Sequence, residues 1–421
     1  MKKFLGMFLG LGLVATLAAG EARADCKICI GASFEGFGYW SNTDEQGSFL
    51  GTDINGAPRR ARAVYSELVS GIPINASNLG ASNDTDFGMY TGALFLNGLA
   101  AASDNADLGF RLAFVGVGSN LTSAGGATVG NGDPDIPGGG FGFLVEQAFV
   151  DLHNSDGGMG VLFGRFEPNT GGSLRMVDNG TPFLSVARSS LLPTFLTGAV
   201  GYFNSGDVGA ALYLYNDLNG VNDQDDIDLG YGLGGFYGAD GMNASVTVFL
   251  SPEGVSLDTG SGDIDQDNEF WVFIINGHAE MEQEQLRAFA DITFRRDGYP
   301  GPLPSVEAFN LELGGTFNVT DLVGVGANFG WTNIKDTQGS FPLGQLTGLF
   351  DQDGHVFVIN PVIALNVSDN VVVNAGYDWE TQKVKNSGSN GRSNVHTVFV
   401  TVAANIDNGA KKRITGTRSV N

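Results

Sequence analysis

Histidine, serine and acidic side chains could carry catalysis, but their spacing here does not fit a catalytic site. The histidines at 153, 278, 355 and 396 are scattered along the chain. His278 and Glu280 would share one face of a strand, yet two residues do not make a triad, and no activated serine is identifiable. The GxSxG and HExxH motifs are absent. We therefore predict that the protein is not an enzyme and that it needs no cofactor.

Two acidic clusters could hold a divalent cation, because Ca²⁺ binds six to eight oxygen ligands. Neither matches the EF-hand loop, which needs Gly at position six and Glu at position twelve. A solvated acidic surface that concentrates cations is the alternative interpretation. The weak metal candidates are Asp223, Asp225, Asp226, Asp263, Asp265 and Asp267.

The charge balance excludes one class of partner. The 421 residues include 22 Lys+Arg against 46 Asp+Glu, for a formal net charge of -24. A nucleic-acid-binding surface needs clustered positive charge, so we predict no nucleic-acid partner. Hydrophobic residues make up 42% of the chain, which is enough to exclude disorder along its whole length.

Hydrophobic residues recur at every second position through most of the chain, as they do in strands with two unlike faces. In the segment 306–319, Phe309, Leu311 and Leu313 alternate with Asn310 and Glu312. Sixteen such segments are found: 27–41, 86–99, 105–118, 142–153, 159–167, 195–204, 207–217, 227–238, 241–251, 269–281, 285–296, 306–319, 323–335, 354–367, 371–383 and 395–406. The glycine-rich run 230–235 lies within one of them and precedes no helix, so we expect its glycines to allow close packing rather than to bind phosphate.

The connections between these segments tend to alternate between short and long. Segments such as 205–206 and 239–240 are short, whereas 42–85, 119–141 and 168–194 are long. Bacterial outer-membrane barrels have short periplasmic turns and long external loops. Closure into a barrel is needed in lipid because every backbone N–H and C=O must be paired. The sequence therefore predicts an all-β, transmembrane up-and-down antiparallel β-barrel of about 16 strands.

The chain ends suggest export. Residues 1–24 combine Lys2 and Lys3, an apolar run and the sequence Ala-Arg-Ala, which predicts a signal peptide cleaved before Asp25. Cys26 and Cys29 follow; a local disulfide, a bond outside the chain and an incidental role all remain open. The barrel is expected over 25–406, and 407–421 would be a polar periplasmic tail. Because this tail replaces the usual terminal aromatic, Phe399 within the last strand is the candidate for that role.

Sixteen strands enclose a water-filled lumen, whereas eight are filled by side chains. Conduction would then depend on the charges along the polar face. A mixture of arginines and carboxylates would produce a transverse field at a constriction, although the same charges could simply pair across a wide lumen. The candidates on strands are Arg111, Glu146 or Gln147, Arg165, Glu167, Arg287, Asp291, Arg295, Glu312 and Asp378.

The third long connection, 168–194, is unusual for a solvent-exposed loop because it has few charges and several apolar residues. A loop folded back into the lumen would explain this composition, and Arg175 and Arg188 would then reach the constriction. The alternative is a short element over 181–192 that packs on the rim.

Four segments resemble the beta-barrel porin-2 family of Gram-negative outer membranes. They are LVEQAFVDL (144–152), FGRFEP (163–168), FLSVARSS (183–190) and LTGAVGYF (196–203). The resemblance implies a trimeric channel for passive diffusion of small hydrophilic solutes and ions. It also implies pore-region roles for Arg165, Glu167, Arg188 and Ser189.

The expected partners are outer-membrane lipid and lipopolysaccharide, small polar solutes and, by the resemblance, two further copies of the chain. Two alternatives remain. One is a non-conducting barrel that serves as a surface adhesion or structural protein, with its pore plugged by 42–85. The other is a secreted, soluble β-rich binding protein.

Overall fold

The fold is one closed barrel of sixteen strands. A computed structural model describes residues 27–46, 84–118, 139–154, 158–168, 192–193, 196–216, 229–239, 241–254, 270–298, 306–336, 352–368, 371–386 and 390–406. Each strand pairs antiparallel with its neighbours in sequence, and β1 pairs with β16 to close the sheet. The strands are β1 Lys27–Gln46, β2 Asp84–Ser103, β3 Ala106–Gly118, β4 Gly139–His153, β5 Met159–Phe166, β6 Leu196–Ser205, β7 Val208–Asn216, β8 Leu229–Ala239, β9 Met242–Gly254, β10 Phe270–Gln283, β11 Leu286–Gly298, β12 Val306–Asn318, β13 Val323–Asp336, β14 Gln352–Ser368, β15 Val371–Asn386 and β16 Asn390–Ile406.

This architecture confirms the all-β barrel and the strand count. None of the described residues forms a helix that is long and apolar enough to cross a bilayer. Turns of two to five residues connect the strands at one end of the barrel, which we call the short-turn end. The opposite end, the long-loop end, carries longer connections with one exception. Only three residues separate β15 from β16, whereas the hydrophobic pattern predicted a connection over 384–394.

The β15–β16 hairpin is longer than expected because its end carries no hydrophobic alternation. Lys383 and Lys385 continue the backbone pairing with Arg392 and Asn390, although their polar character gives no period-two signal. Paired backbone can extend beyond the apolar band of a barrel, so hydrophobicity alone underestimates such strands.

The outer face is apolar along the middle of the strands. Leu233, Val246, Ile292, Leu313 and Ile363 all project outward and are exposed. Residues next to them in sequence face inward and are buried or half-buried, as period two requires. The segment 306–319 behaves as predicted, since Leu313 is exposed while Asn310 and Glu312 are buried.

The inner wall is not uniformly polar, and this was not predicted. Aromatic and aliphatic side chains, most of them on β4 to β10, form a buried cluster, which also contains Ala308 of β12 and Leu192 from the third long connection. Tyr213 stacks near Phe166 at 6.2 Å and near Phe249 at 5.5 Å between ring centroids. At Gly230, an added Cβ would lie 2.1 Å from the Tyr215 ring, so this glycine makes room for the aromatic cluster. On the far side of the barrel Phe399 is also buried, on the inner wall of β16.

Among the strand residues that the structure describes, Gly164 is the one glycine whose backbone requires glycine. Its φ is +126°, and a Cβ there would lie 2.1 Å from the Ala148 carbonyl oxygen. We expect Gly164→Ala to destabilise the barrel by about 1–3 kcal/mol, because the substitution adds strain that the strand cannot relieve. Thermal unfolding of the detergent-solubilised protein measures this effect. Gly201→Ala is the matched control, since no atom lies within 4 Å of its added Cβ; equal losses for the two variants would contradict the prediction.

Candidate functional site

A polar part of the inner wall lies on β9 to β13. Two cross-strand rows run side by side there, and all their polar members are buried. Because the strands pair directly, the row order follows from the register. One row contains Thr247, Asn276, Thr293, Asn310 and Thr332, and the other contains Ser245, His278, Asp291 and Glu312.

Asp291 is the centre of this surface and is fully buried. Asn276 donates its side-chain amide to Asp291 Oδ1 over 3.1 Å, and the Thr293 hydroxyl donates to the same oxygen over 3.2 Å. His278 Nδ1 lies 3.2 Å from Asp291 Oδ2, on the opposite side of the carboxyl. These donors compensate for removing the carboxylate from bulk water.

A second carboxylate lies next to Asp291, on the neighbouring strand β12. Glu312 is its register partner on β12, and Asn310 donates to Glu312 Oε1 over 3.3 Å. Thr332 then donates to Asn310 Oδ1 over 2.8 Å, which orients the amide. Glu280 lies on the other side, with Oε2 3.6 Å from His278 Nε2. We call His278, Glu280, Asp291 and Glu312 the carboxylate cluster; Glu280 and Asp291 lie beside the imidazole, and Glu312 pairs with Asp291 on the next strand.

Ser245, His278 and Asp291 lie on three adjacent strands, but they do not have the geometry of a catalytic triad. In a triad, one imidazole nitrogen contacts the carboxylate and the other contacts the serine hydroxyl. Here His278 Nε2 faces Glu280, and Ser245 Oγ has no hydrogen-bond partner. Their arrangement therefore gives no support to an acyl-transfer function.

A separate buried pair lies between β4 and β6. The Tyr202 hydroxyl lies 2.9 Å from Asp151 Oδ1 and 3.0 Å from Oδ2. We expect Tyr202→Phe to destabilise the barrel by about 1.5–3 kcal/mol, which is the usual contribution of a hydrogen bond to a charged group. Chemical denaturation followed by tryptophan fluorescence measures the loss. Tyr237→Phe, an exposed outer-face tyrosine, should change stability little, and a similar loss in both variants would contradict this assignment.

Several predicted pore residues do lie on the inner wall. Arg111 and Gln147 are buried register partners between β3 and β4, and Glu146 occupies the bulge beside them. Asp291, Arg295 and Glu312 are buried on β11 and β12. Arg287 lies near the short-turn end, where its Nη2 contacts both oxygens of Glu282 at 3.0 Å. The structure thus brings Asp291 and Glu312 together and leaves Arg287 and Arg111 at other positions.

Arg165 is placed on the other face, so its predicted lumen position is wrong. It pairs with Ala148 and Thr197, both exposed outer-face residues, whereas Phe166 next to it is buried inside. Glu167 follows the end of β5 and is half-buried. Some candidates lie outside the described residues, or have side chains that are not described: Arg175, Arg188, Ser189, Asp378, Asp223, Asp225, Asp226, Asp263, Asp265 and Asp267. Cys26 lies outside the described residues, and the side chain of Cys29 is not described. In the described part of the chain, no group of three or more His, Cys, Asp or Glu is arranged to hold a metal ion.

His278, Asn276 and Asn310 were not among the predicted site residues. A signal for His278 is present in the sequence, because a two-residue turn between β10 and β11 at Glu284 and Gln285 places His278 opposite Asp291. A turn of another length would give another register, and the structure shows that the two-residue turn is the one formed.

Solved structures with the same fold include outer-membrane proteins, among them a porin and a channel. The chain superposes on an anion-selective porin from Comamonas acidovorans with a TM-score of 0.54 at 12% identity, covering 90% of this chain and 100% of that one. The outer membrane channel DcaP of Acinetobacter baumannii superposes with a TM-score of 0.52 at 12% identity, covering 92% of this chain and 99% of that one. The trimer form of OmpT, an outer membrane protein of Vibrio cholerae, superposes with a TM-score of 0.50 at 8% identity, covering 89% of this chain and 99% of that one. At these identities the likeness establishes the fold: the chain is a sixteen-stranded barrel of the porin type.

No family model matches the chain, and no curated protein matches its sequence. The resemblance to the beta-barrel porin-2 family therefore stays a prediction, while the wider class of porin-type barrels rests on the structural comparisons.

Proposed function

We propose that the protein is an outer-membrane porin, a water-filled channel for passive diffusion of small hydrophilic solutes and ions. The observation that carries this proposal is a closed sixteen-stranded barrel with an apolar outer face and charged groups on its inner wall. Barrels of 16 to 18 strands leave an aqueous lumen, and lipid requires the apolar exterior. The long-loop end would be extracellular, and residues 1–24 would direct export. A homotrimer, by analogy with the trimeric OmpT, belongs to the same proposal.

The inner wall favours cations over anions. Carboxylates outnumber arginines among the charged inner-wall side chains that the structure describes. Fixed negative charge in a confined, low-dielectric lumen raises the local concentration of cations. The arginines are Arg111, Arg287 and Arg295; the carboxylates are Asp107, Asp151, Glu280, Glu282, Asp291 and Glu312.

The third long connection would narrow this channel. Leu192 is buried in the apolar cluster of the inner wall, which supports a connection that enters the barrel. In this proposal the apolar cluster holds the connection, and the polar wall of β9 to β13 lines the remaining passage.

Liposome swelling tests passive diffusion. Vesicles that contain the folded protein should swell in isotonic solutions of small uncharged sugars, and the rate should fall as solute size rises. Empty vesicles are the control. Absence of swelling with a protein whose gel mobility shows a folded barrel would contradict the proposal.

One observation favours a second candidate, a plugged barrel that serves as a surface protein. Inner-wall side chains such as Asp291, Thr247 and Asn360 are fully buried, which a filled interior would also produce. The same swelling assay separates the two candidates, because a plugged barrel admits no solute of any size.

A further inference from the structure

Several buried polar atoms on the inner wall have no hydrogen-bond partner among the residues that the structure describes. They include the side-chain oxygens of Asn276, Asn328 and Asn360, together with the amide nitrogen of Asn360. All three residues are more than nine-tenths buried. Buried amide groups are nearly always paired, so each exception calls for a missing partner. Three of these four atoms are acceptors, and the missing partners are therefore mainly hydrogen-bond donors.

Two of these asparagines border a gap in the inner wall at Gly330. Gly330 on β13 is the register partner of Glu312 on one side and of Val358 on the other. A Cβ at this glycine would have one described atom within 4 Å, which is Val358 Cβ at 3.8 Å. Asn328 lies two residues away on the same face of β13, and it pairs with Asn360 on β14. We call Glu312, Asn328, Gly330 and Asn360 the Gly330 niche.

The amide of Asn328 reaches across to β12. Its Oδ1 lies 2.1 Å from the position that a Cβ of Gly314 would occupy, and the Phe289 ring lies 2.7 Å from the same point. Gly314 is two residues from Glu312, on the same face of β12. The unpartnered oxygen of Asn328 is therefore held beside the Glu312 strand position, and Phe289 borders the niche on the β11 side.

The niche lies in a negatively charged part of the wall. Glu312 pairs with Asp291 on β11, and both carboxylates are buried. Arg287 and Arg295 are on β11 as well, each four residues from Asp291, or about 13 Å along the strand. Arg287 is already paired with Glu282. The niche thus combines two adjacent carboxylates with amide oxygens that lack a donor.

We propose that the Gly330 niche binds the ammonium group of small organic cations that carry a primary amine. Such a group has a positive charge and three N–H donors. Glu312 would balance the charge, and the side-chain oxygens of Asn328 and Asn360 would each accept a hydrogen bond. The missing side chain at Gly330 leaves room for the ammonium group against the wall. This inference rests on the proposed channel and names a preferred class of solute, because it separates primary amines from other cations of equal charge.

Three isomeric cations test the proposal in single-channel recordings of the full-length protein. n-Butylammonium has three N–H donors, diethylammonium has two and tetramethylammonium has none, while their charge and mass are identical. Each cation, added to KCl, should lower the current when it occupies the lumen. Half-block by n-butylammonium should need a concentration about tenfold lower than half-block by tetramethylammonium, because two hydrogen bonds to buried acceptors correspond to roughly that factor. Diethylammonium should lie between the two.

Two sets of substitutions locate this preference in the niche. Asn328→Leu with Asn360→Leu removes the acceptors and keeps shape and charge, so the three isomers should block at nearly equal concentrations. Gly330→Val fills the gap and should also abolish the preference. Gly277→Val on the outer face of β10 is the matched control and should keep it, since no described atom lies within 4 Å of its added Cβ. Heat-dependent gel mobility shows that each variant is folded.

Equal half-block concentrations for the three isomers in the wild type would overturn the inference. An unchanged preference in the double leucine variant, or an equal loss in Gly277→Val and Gly330→Val, would overturn it as well. Saturation-transfer NMR with n-butylammonium and tetramethylammonium compares their binding to the detergent-solubilised protein without conduction. A barrel that prefers the primary amine but carries no current would contradict only the proposed function, whereas a conducting barrel without this preference would contradict only the inference.

Discussion

Replacing Leu313 with arginine is expected to destabilise the folded barrel in a bilayer by about 2–4 kcal/mol. Leu313 lies on the outer face near the middle of β12 and is 43% exposed. An arginine at this depth would place its charge in hydrocarbon, far from either boundary. This effect is expected only if the outer face contacts lipid, so the prediction tests the membrane location directly.

Val319→Arg is the matched control for this substitution. Val319 follows the end of β12 and is 54% exposed, so its arginine would reach water. We expect a cost of about 0–1 kcal/mol there, as for charges near the boundary. Reversible unfolding in lipid vesicles, with the folded fraction read from gel mobility, gives both values. Equal costs at the two positions would mean that the outer face of β12 does not contact hydrocarbon.

Removing charge from the carboxylate cluster is expected to lower cation preference several-fold. Asp291 and Glu312 are register partners on the inner wall, so their fields add at one height of the lumen. Glu312→Gln removes one charge and keeps an oxygen that can accept from Asn310. Adding Asp291→Asn removes the second, and the K⁺/Cl⁻ permeability ratio should fall stepwise from the wild type to the double variant.

Reversal potentials in a KCl gradient measure this ratio. Glu307→Gln is the control, because it removes one carboxylate from the outer face and leaves the lumen unchanged. A permeability ratio that does not change in the double variant, or that changes equally in Glu307→Gln, would contradict the assignment of the carboxylate cluster to the conduction path.

The period-two pattern predicted this fold well because most strands separate an apolar face from a polar one. Leu313 and Glu312 differ so strongly in polarity that the face of β12 is unambiguous. The strand β5 lacks this contrast, since Val161 and Phe163 face outward while Leu162 and Phe166 are buried inside. With apolar residues on both faces, polarity could not show that Arg165 belongs to the outer one.

The apolar inner cluster is the larger gap in the sequence-based account. Phe249 shares one face of β9 with Thr247 and Ser245, so alternation alone places it with polar residues. Its partners Tyr213 and Tyr215 come from β7, and only the register brings the three rings together. The hydrogen bonds of Asp291 also depend on the register, because Asn276 and His278 come from the neighbouring strand. Composition and alternation predict which residues share a face, whereas cross-strand contacts also depend on turn lengths.

Single-channel recording tests the central claim most directly. Purified, folded protein added to a planar bilayer in KCl should produce discrete, stepwise increases in current, with a reversal potential that shows cation preference. A folded protein that inserts into the bilayer but carries no current at any voltage would contradict the account of an open, water-filled barrel.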